Sequence, residues 1–248
     1  MKQKKIKAKT YGKSKSPFGP EVTIPKHIVL IPDGNRRWAR EHGLSVEEGH
    51  RQGFEAVMEV ARAAETWGIK YFTIWCFSTE NWDRAKFEVR YLMRLFKEFI
   101  EKHLKEFIEK GVKIIHLGRR DRIPAFLKNT LDDAIERTQD NEKMVLNIAL
   151  DYGGRDEILR AVRKIIASGR DPDNLSEEEF RKFLDTNGEP EPDLIIRTSG
   201  EHRLSGIMPF QSAYAELYFE KSHCPDFTAE KLKEAILDYS SRQRRFGQ

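Results

Sequence analysis

Cysteine is nearly missing from this sequence: a chain of 248 residues holds only Cys76 and Cys224. They form no CxxC pair and argue against a disulfide framework. No zinc spacing is present among the histidines and cysteines, so the two thiols read as core groups of a reduced, cytoplasmic protein. Long apolar runs are missing too. The longest apolar-rich stretches, YFTIWCF at 71–77 and MVLNIAL at 144–150, are strand-sized, well short of the roughly 20 residues that span a bilayer. No apolar h-region follows the lysine-rich start, so a secretory signal is not expected. The common phosphate signatures are also absent: no GxxxxGK[ST] loop, no GxGxxG after the first strand-like segment and no kinase signature set. P-loop NTPases, dinucleotide enzymes and protein kinases are disfavoured accordingly.

Acidic residues are missing from the first twenty positions, which carry seven lysines. Taking these from totals of 44 basic and 40 acidic residues leaves 37 against 40, so a net charge of +4 becomes −3. The basic balance belongs to an arm over residues 1–24, expected to be flexible and solvated. Its functional alternative is peripheral attraction to an anionic membrane surface at the inner face. No nucleic-acid motif accompanies the lysines, so no nucleic-acid partner is expected.

What is present is alternation. HIVLI (27–31), KYFTIWCF (70–77), VKIIHLG (112–118), MVLNIAL (144–150), DLIIR (193–197) and AELYF (215–219) read as strands. Between them lie helical patterns at 47–67, 86–110, about 124–138 and after 154, with a capping box at Ser176 and Glu179 and a last helix from Thr228. The pattern predicts one α/β domain over 25–248, a mostly parallel six-stranded sheet flanked by helices.

Ligands of open parallel sheets sit beyond the carboxyl ends of the strands. Four polar clusters fall there: DGNRRW (33–38), FSTENWDR (77–84), DYGGR (151–155) and RTSGEHRLS (197–205). Singly, each could be a turn or a cap. Together they place Arg37, Arg84, Arg197 and Arg203 on one rim, with Gly34, Ser78, Ser199, Gly200 and Ser205 beside them and helix starts after Gly34 and Gly154. Arginine forks and helix-start amides suit phosphate oxygens. Asp33 amid that charge makes sense when Mg²⁺, which binds through one or two carboxylates plus phosphates, links it to the substrate. The Phe- and Leu-rich helix at 86–110 packs on the sheet, or also lines a tunnel for a hydrocarbon tail.

These blocks, HIVLIPDGNRRWAR…GH (27–50), FSTENWDR, DYGGRDEI (151–158) and DLIIRTSGEHRLS…FQSAYAELYF (193–219), resemble the signatures of the cis-prenyltransferase, or undecaprenyl diphosphate synthase, family. The resemblance covers about residues 25–247. It implies sequential addition of isopentenyl diphosphate to an all-trans allylic diphosphate, each new double bond being cis. By carry-over, Asp33 holds Mg²⁺ on the allylic diphosphate, with Gly34, Asn35, Arg36, Arg37, Trp38 and His50 around it. Arg197, Arg203, Leu204 and Ser205 take the diphosphate of isopentenyl diphosphate. Ser78, Thr79, Glu80, Asn81, Trp82 and Arg84 shape the junction, Asn81 as a positioning group in the proton transfer, and Glu216 is a second metal-linked carboxylate. The family works as a homodimer, and Arg245 and Gly247 would reach the neighbour's site.

Two departures stand out. Val46 occupies a position where bacterial members carry an arginine, with Arg40 or Arg51 as compensating candidates. Phe210 replaces a tryptophan before Gln211, with Gly206 and Pro209 in the same loop. This version of the loop, with the GNRRW variant at 34–38, resembles archaeal members, which implies a geranylgeranyl starter and a glycosyl-carrier lipid product. Alternatives are a relative that transfers a prenyl group to a different acceptor, and a non-catalytic partner subunit. The all-helical trans-prenyltransferases are disfavoured by six strands and the lack of paired DDxxD motifs.

Overall fold

The structure is a computed structural model that describes residues 16–242. Its centre is one six-stranded sheet, every pair parallel, in the order β3-β4-β2-β1-β5-β6. The strands are β1 (His27–Ile31), β2 (Tyr71–Ser78), β3 (Val112–Leu117), β4 (Met144–Tyr152), β5 (Leu194–Arg197) and β6 (Glu216–Phe219). All five residues of β1 are buried, as expected of a central strand covered on both faces. Ile28 and Leu30 face the larger core, Val29 and Ile31 the smaller one. The order puts β1 next to β2 on one side and β5 on the other. Chain connections from these two strands diverge, which opens a crevice above their carboxyl ends.

The helices are α1 (Asn35–Glu41), α2 (Val46–Thr66), α3 (Lys86–Lys110), α4 (Ala125–Thr138), α5 (Gly154–Ala167), α6 (Glu177–Arg181) and α7 (Ala229–Ser241). Ser45 and Glu48 start α2 with a reciprocal capping box. Gly111, at φ 70°, ends α3. α2, α3, α4 and α7 supply the larger core, and α3 buries Leu92, Phe96, Phe99, Ile100 and Phe107 toward the sheet.

The arm is shorter than expected. Phe18 meets Trp67 edge-on at 5.3 Å, Val22 and Ile24 pack on the core, and the Thr23 N–H donates to Ser240 Oγ at 2.8 Å. Residues 18–24 therefore belong to the folded body, because three apolar side chains in this stretch are worth more buried than solvated. The seven lysines, with Arg245 and Gly247, lie outside the described residues. No helix among the described residues is long and apolar enough to cross a membrane.

Candidate active site

Ile31 is in register with Arg197, so the residues just past β1 face the last residue of β5. Thr198 stitches the two ends: its hydroxyl lies 2.8 Å from the Asp33 N–H as acceptor and 2.7 Å from the Asp33 carbonyl as donor. Gly34 follows at φ 100°. A Cβ there would collide with Ser199 and with the His223 ring, so only glycine fits both the backbone and the space.

Two arginines share the Asp33 carboxylate. Arg197 donates to Oδ2 at 2.8 Å and Arg37 to Oδ1 at 3.2 Å. Burial works against the charge of Asp33, but the Arg197 hydrogen bond and the nearby guanidinium charges outweigh it and hold the carboxyl below its usual range. Arg197 is only 5 % exposed. It donates also to the Arg203 carbonyl (2.6 Å) and Ser205 Oγ (2.7 Å), and its Nε–H is buried without a partner. A buried donor left over is a site waiting for an acceptor. Glu201 binds Arg37 (2.6 Å) and Arg203, sharing its single charge between them.

Below this mouth lies a cavity of about 570 Å³, within the range of small-molecule sites. Its upper wall carries Asp33, Asn35, Arg36, Arg37, Arg40, His50, Glu80, Asn81, Arg84, Arg197 and Ser205. Its lower wall is apolar: Phe54, Val57 and Met58 of α2, five residues of α3 from Leu92 to Phe107, and Ile74, Leu146, Ile148 and Leu150 of the sheet. From Leu92 to Phe107 the helix rises roughly 20 Å. Cys76 lines the same wall, and burial pushes its thiol up to about 12, so it is an inert apolar surface.

Glu88, missed in the sequence, links the cationic side. It lies 3.3 Å from His50 Nε2 and accepts from Arg84 at 3.2 Å. The signal was available as an i, i+4 charge pair from Arg84. Burial lowers the His50 pKa despite Glu88, keeping the ring neutral near pH 7. A neutral ring that donates Nε2–H to Glu88 leaves Nδ1 as an acceptor. Asn81 Oδ1 accepts the Ser78 N–H at 3.1 Å, which leaves its amide N–H₂ for other partners.

Several expected site residues stand elsewhere. Trp38 donates to Asp226 at 3.0 Å and stacks on His42, bracing α1 rather than lining the cavity. Trp82 donates to Asp151. Thr79 bonds Glu80 and packs on Gly153, Arg203 projects to solvent beside Glu201, and Leu204 packs on the smaller core. The α5 start is not an anion site: the Gly206 carbonyl accepts the Gly154 N–H and Pro209 covers it. Glu216 stands apart from Asp33 within the chain. Its register partner is Leu194, three residues before Arg197, so it lies about 10 Å down the sheet. There it accepts from Arg242 at 2.8 Å. Within one chain Glu216 does not join Asp33. Arg40 lines the mouth, whereas Arg51 pairs with Glu98, so of the two candidates Arg40 is the one placed to replace the side chain absent at Val46.

A cationic mouth with ionised Asp33 among its arginines, set at the switch point of a parallel sheet above a deep apolar cavity, defines an enzyme site for an amphiphile with an anionic head. The family model described as undecaprenyl diphosphate synthase matches residues 31–247. An isoprenyl transferase of Clostridium perfringens is 43% identical over 231 residues, covering 92% of this chain and 91% of that one. Another, of Aquifex aeolicus, is 43% identical over 226 residues, covering 91% and 97%. The crystal structure of lavandulyl diphosphate synthase from Lavandula x intermedia in complex with dimethylallyl diphosphate aligns at TM-score 0.89 and 36% identity, covering 91% of this chain and 99% of that chain. The chain belongs to the cis-prenyltransferase family and is a prenyltransferase.

Proposed function

We propose that the protein condenses isopentenyl diphosphate repeatedly onto an allylic diphosphate, with geranylgeranyl diphosphate as starter and a long polycis-prenyl diphosphate for glycosyl-carrier lipid as product. The observation that carries this reading is the continuity of the Asp33–Arg197 mouth with the apolar cavity. Family membership supports prenyl chain elongation as the reaction class. The starter and the product's use rest on the GNRRW block at 34–38 and the loop at 206–210.

In this reading the allylic diphosphate lies against Arg36, Arg37 and Arg40, and the hydrocarbon chain enters the cavity. The second diphosphate is held by Arg197 and Ser205, with Arg203 swinging in from solvent once a phosphate competes with Glu201. As the allylic C–O bond breaks, these fixed guanidinium groups stabilise charge on the departing diphosphate. Arg84, paired to Glu88, fixes the distance between the substrates, and Asn81 orients the acceptor through its free amide hydrogens. Asn81 is no base. Attack by the isopentenyl double bond forms the new C–C bond, and the proton lost from its C2 passes to the departing diphosphate, with the neutral His50 placed to relay it.

Asp33 fits Mg²⁺: it is ionised, faces the mouth, and is flanked by the groups that would hold diphosphate oxygens, as Mg²⁺ sites built from one carboxylate require. When bound there, the ion supplies further charge neutralisation on the leaving diphosphate. A cytoplasmic homodimer with peripheral membrane contact completes the proposal. The exposed apolar stripe Leu159, Val162 and Ile166 on α5 supports self-association, and a sedimentation mass of one chain at micromolar concentration would refute it.

The test is incubation with Mg²⁺, labelled isopentenyl diphosphate and a panel of allylic starters, read as product length. A ladder ending at a defined long chain is expected, with geranylgeranyl diphosphate the best starter. The likeness to lavandulyl diphosphate synthase favours a second reading, transfer to a different acceptor. A single product formed from dimethylallyl diphosphate alone would establish it instead.

A further inference from the structure

We propose that Asp151 is a positioning residue for this reaction, holding the Ser78–Arg84 turn in place through Trp82 and Arg122. Strands β2 and β4 pair regularly as far as Trp75 and Ala149. The register then slips twice, so that Phe77 faces Leu150 and Ser78 faces Tyr152. Cys76 is the extra residue on β2, and Asp151 the extra residue on β4. Bulges re-aim side chains. Cys76 turns to the cavity wall. Asp151, at φ 54°, is wholly buried.

A left-handed backbone at a non-glycine position and a buried carboxylate are both costly, and each persists only where the surroundings demand it. Here the carboxylate is fully used. It accepts the Trp82 Nε1–H at 2.8 Å, the Arg122 Nε–H at 2.9 Å and a second, shorter bond from Arg122. The Arg122 guanidinium also lies over the Trp82 ring, 5.6 Å from its centre. Three segments meet in this clamp: the turn after β2, the loop after β3 and the end of β4.

The clamped turn presents its other face to the site. Ser78, Glu80, Asn81 and Arg84 line the cavity, while Trp82 points away and packs edge-on against Phe77 at 5.1 Å. Asn81 Oδ1 accepts the Ser78 N–H and the Asn81 carbonyl accepts the Arg84 N–H at 3.2 Å. The turn is therefore one unit. Moving Trp82 moves Asn81 and Arg84 together, and with them the register of the two substrates, to which such reactions are steeply sensitive. Asp151 is wholly buried outside the cavity lining, so it acts through Trp82.

This inference rests on the elongation reading for its kinetic arm and on geometry alone for its structural arm. Asp151→Asn removes the charge at constant size, and Trp82→Phe deletes one N–H while keeping an aromatic ring. Each single variant of the full chain is expected to lose about 10- to 100-fold in kcat/KM for isopentenyl diphosphate at saturating allylic diphosphate. The losses should not multiply in the double variant, because both substitutions weaken the same Asp151–Trp82–Arg122 clamp. Amide exchange across 78–84 should accelerate in both singles without substrate. Wild-type kinetics in both singles, losses that multiply in the double, or unchanged exchange at 78–84 would each overturn the proposal. So would a lowered Tm with kcat and KM intact. If the wild type extends no starter, the elongation reading fails, and the exchange measurement alone decides whether Asp151 holds the turn.

Discussion

At Asp33 one carboxylate answers to two guanidinium groups, and that arrangement has a separable consequence. Asp33→Asn keeps an acceptor for Arg197 but removes the charge that would hold a cation on the leaving group. The expected loss in kcat is about 10²–10³-fold, with isopentenyl diphosphate dissociation changed by less than about tenfold. Turnover and equilibrium binding measured side by side check this; equal losses in both would contradict the division of roles. A second residue-scale effect lies away from the site. Burial raises the Glu189 carboxyl from its ordinary value to about 7, although Asn147 hydrogen-bonds to it. A folded pKa above the unfolded one means that this group's contribution is present in full below about 4.5 and lost as pH rises through about 7. Glu189→Gln should therefore raise stability at pH 8 by on the order of 1 kcal/mol and change it little at pH 4. Denaturant titrations at the two pH values measure the difference.

Among elements, the junction of α1 with α2 sets the mouth. Gly53 of α2 packs directly on the Asn35 side chain of α1, and a Cβ at 53 would collide with its amide oxygen. Gly53→Ala would gain roughly 1 kcal/mol of helix propensity, but overpacking costs typically 1–3 kcal/mol. A net destabilisation, with weaker binding of the allylic diphosphate because Asn35 and Arg36 shift, is the expected result; chemical denaturation and starter KM report it. The strands and long helices were legible because their apolar periods are strong and their stops are marked, as at Gly111. The seven-residue α1 was legible only at its start after Gly34, since it buries only Ala39 and so carries no apolar period. The starts of α1 and α5 look alike in sequence, yet the carbonyl of Gly206, 52 residues further on, occupies the second. That closure is a tertiary contact with no local signature.

For the whole molecule, parallel order turned three of the four sequence clusters into one rim, so Asp33, Arg37, Arg84, Arg197 and Ser205 could be chosen before any coordinates. What the sequence could not supply was register and side-chain direction. Glu216 was assigned to the metal, but strand pairing sets it beside Leu194, at the far end from Asp33. Trp38 and Trp82 sit in the right loops and face away from the cavity. Arg40 faces in by helical phase, while Glu88, outside the lining, acts on it through His50 and Arg84. The depth of the cavity was beyond reach as well: Cys76, Phe96 and Phe99 line it, but Leu95, Val112 and Met144, equally plausible by spacing, do not.

In the proposed reaction the apolar cavity beneath the Asp33–Arg197 mouth holds the growing prenyl chain. Phe107 and Leu146 are the lining residues farthest along α3 and β4 from the mouth. The most direct test compares the product ladder of the wild type with that of Phe107→Ala, using geranylgeranyl diphosphate, labelled isopentenyl diphosphate and Mg²⁺. A wild-type ladder with a sharp end, shifted to longer products when the floor is opened, is the predicted result. An identical ladder in both proteins, at equal turnover, would mean that the chain does not lie in this cavity.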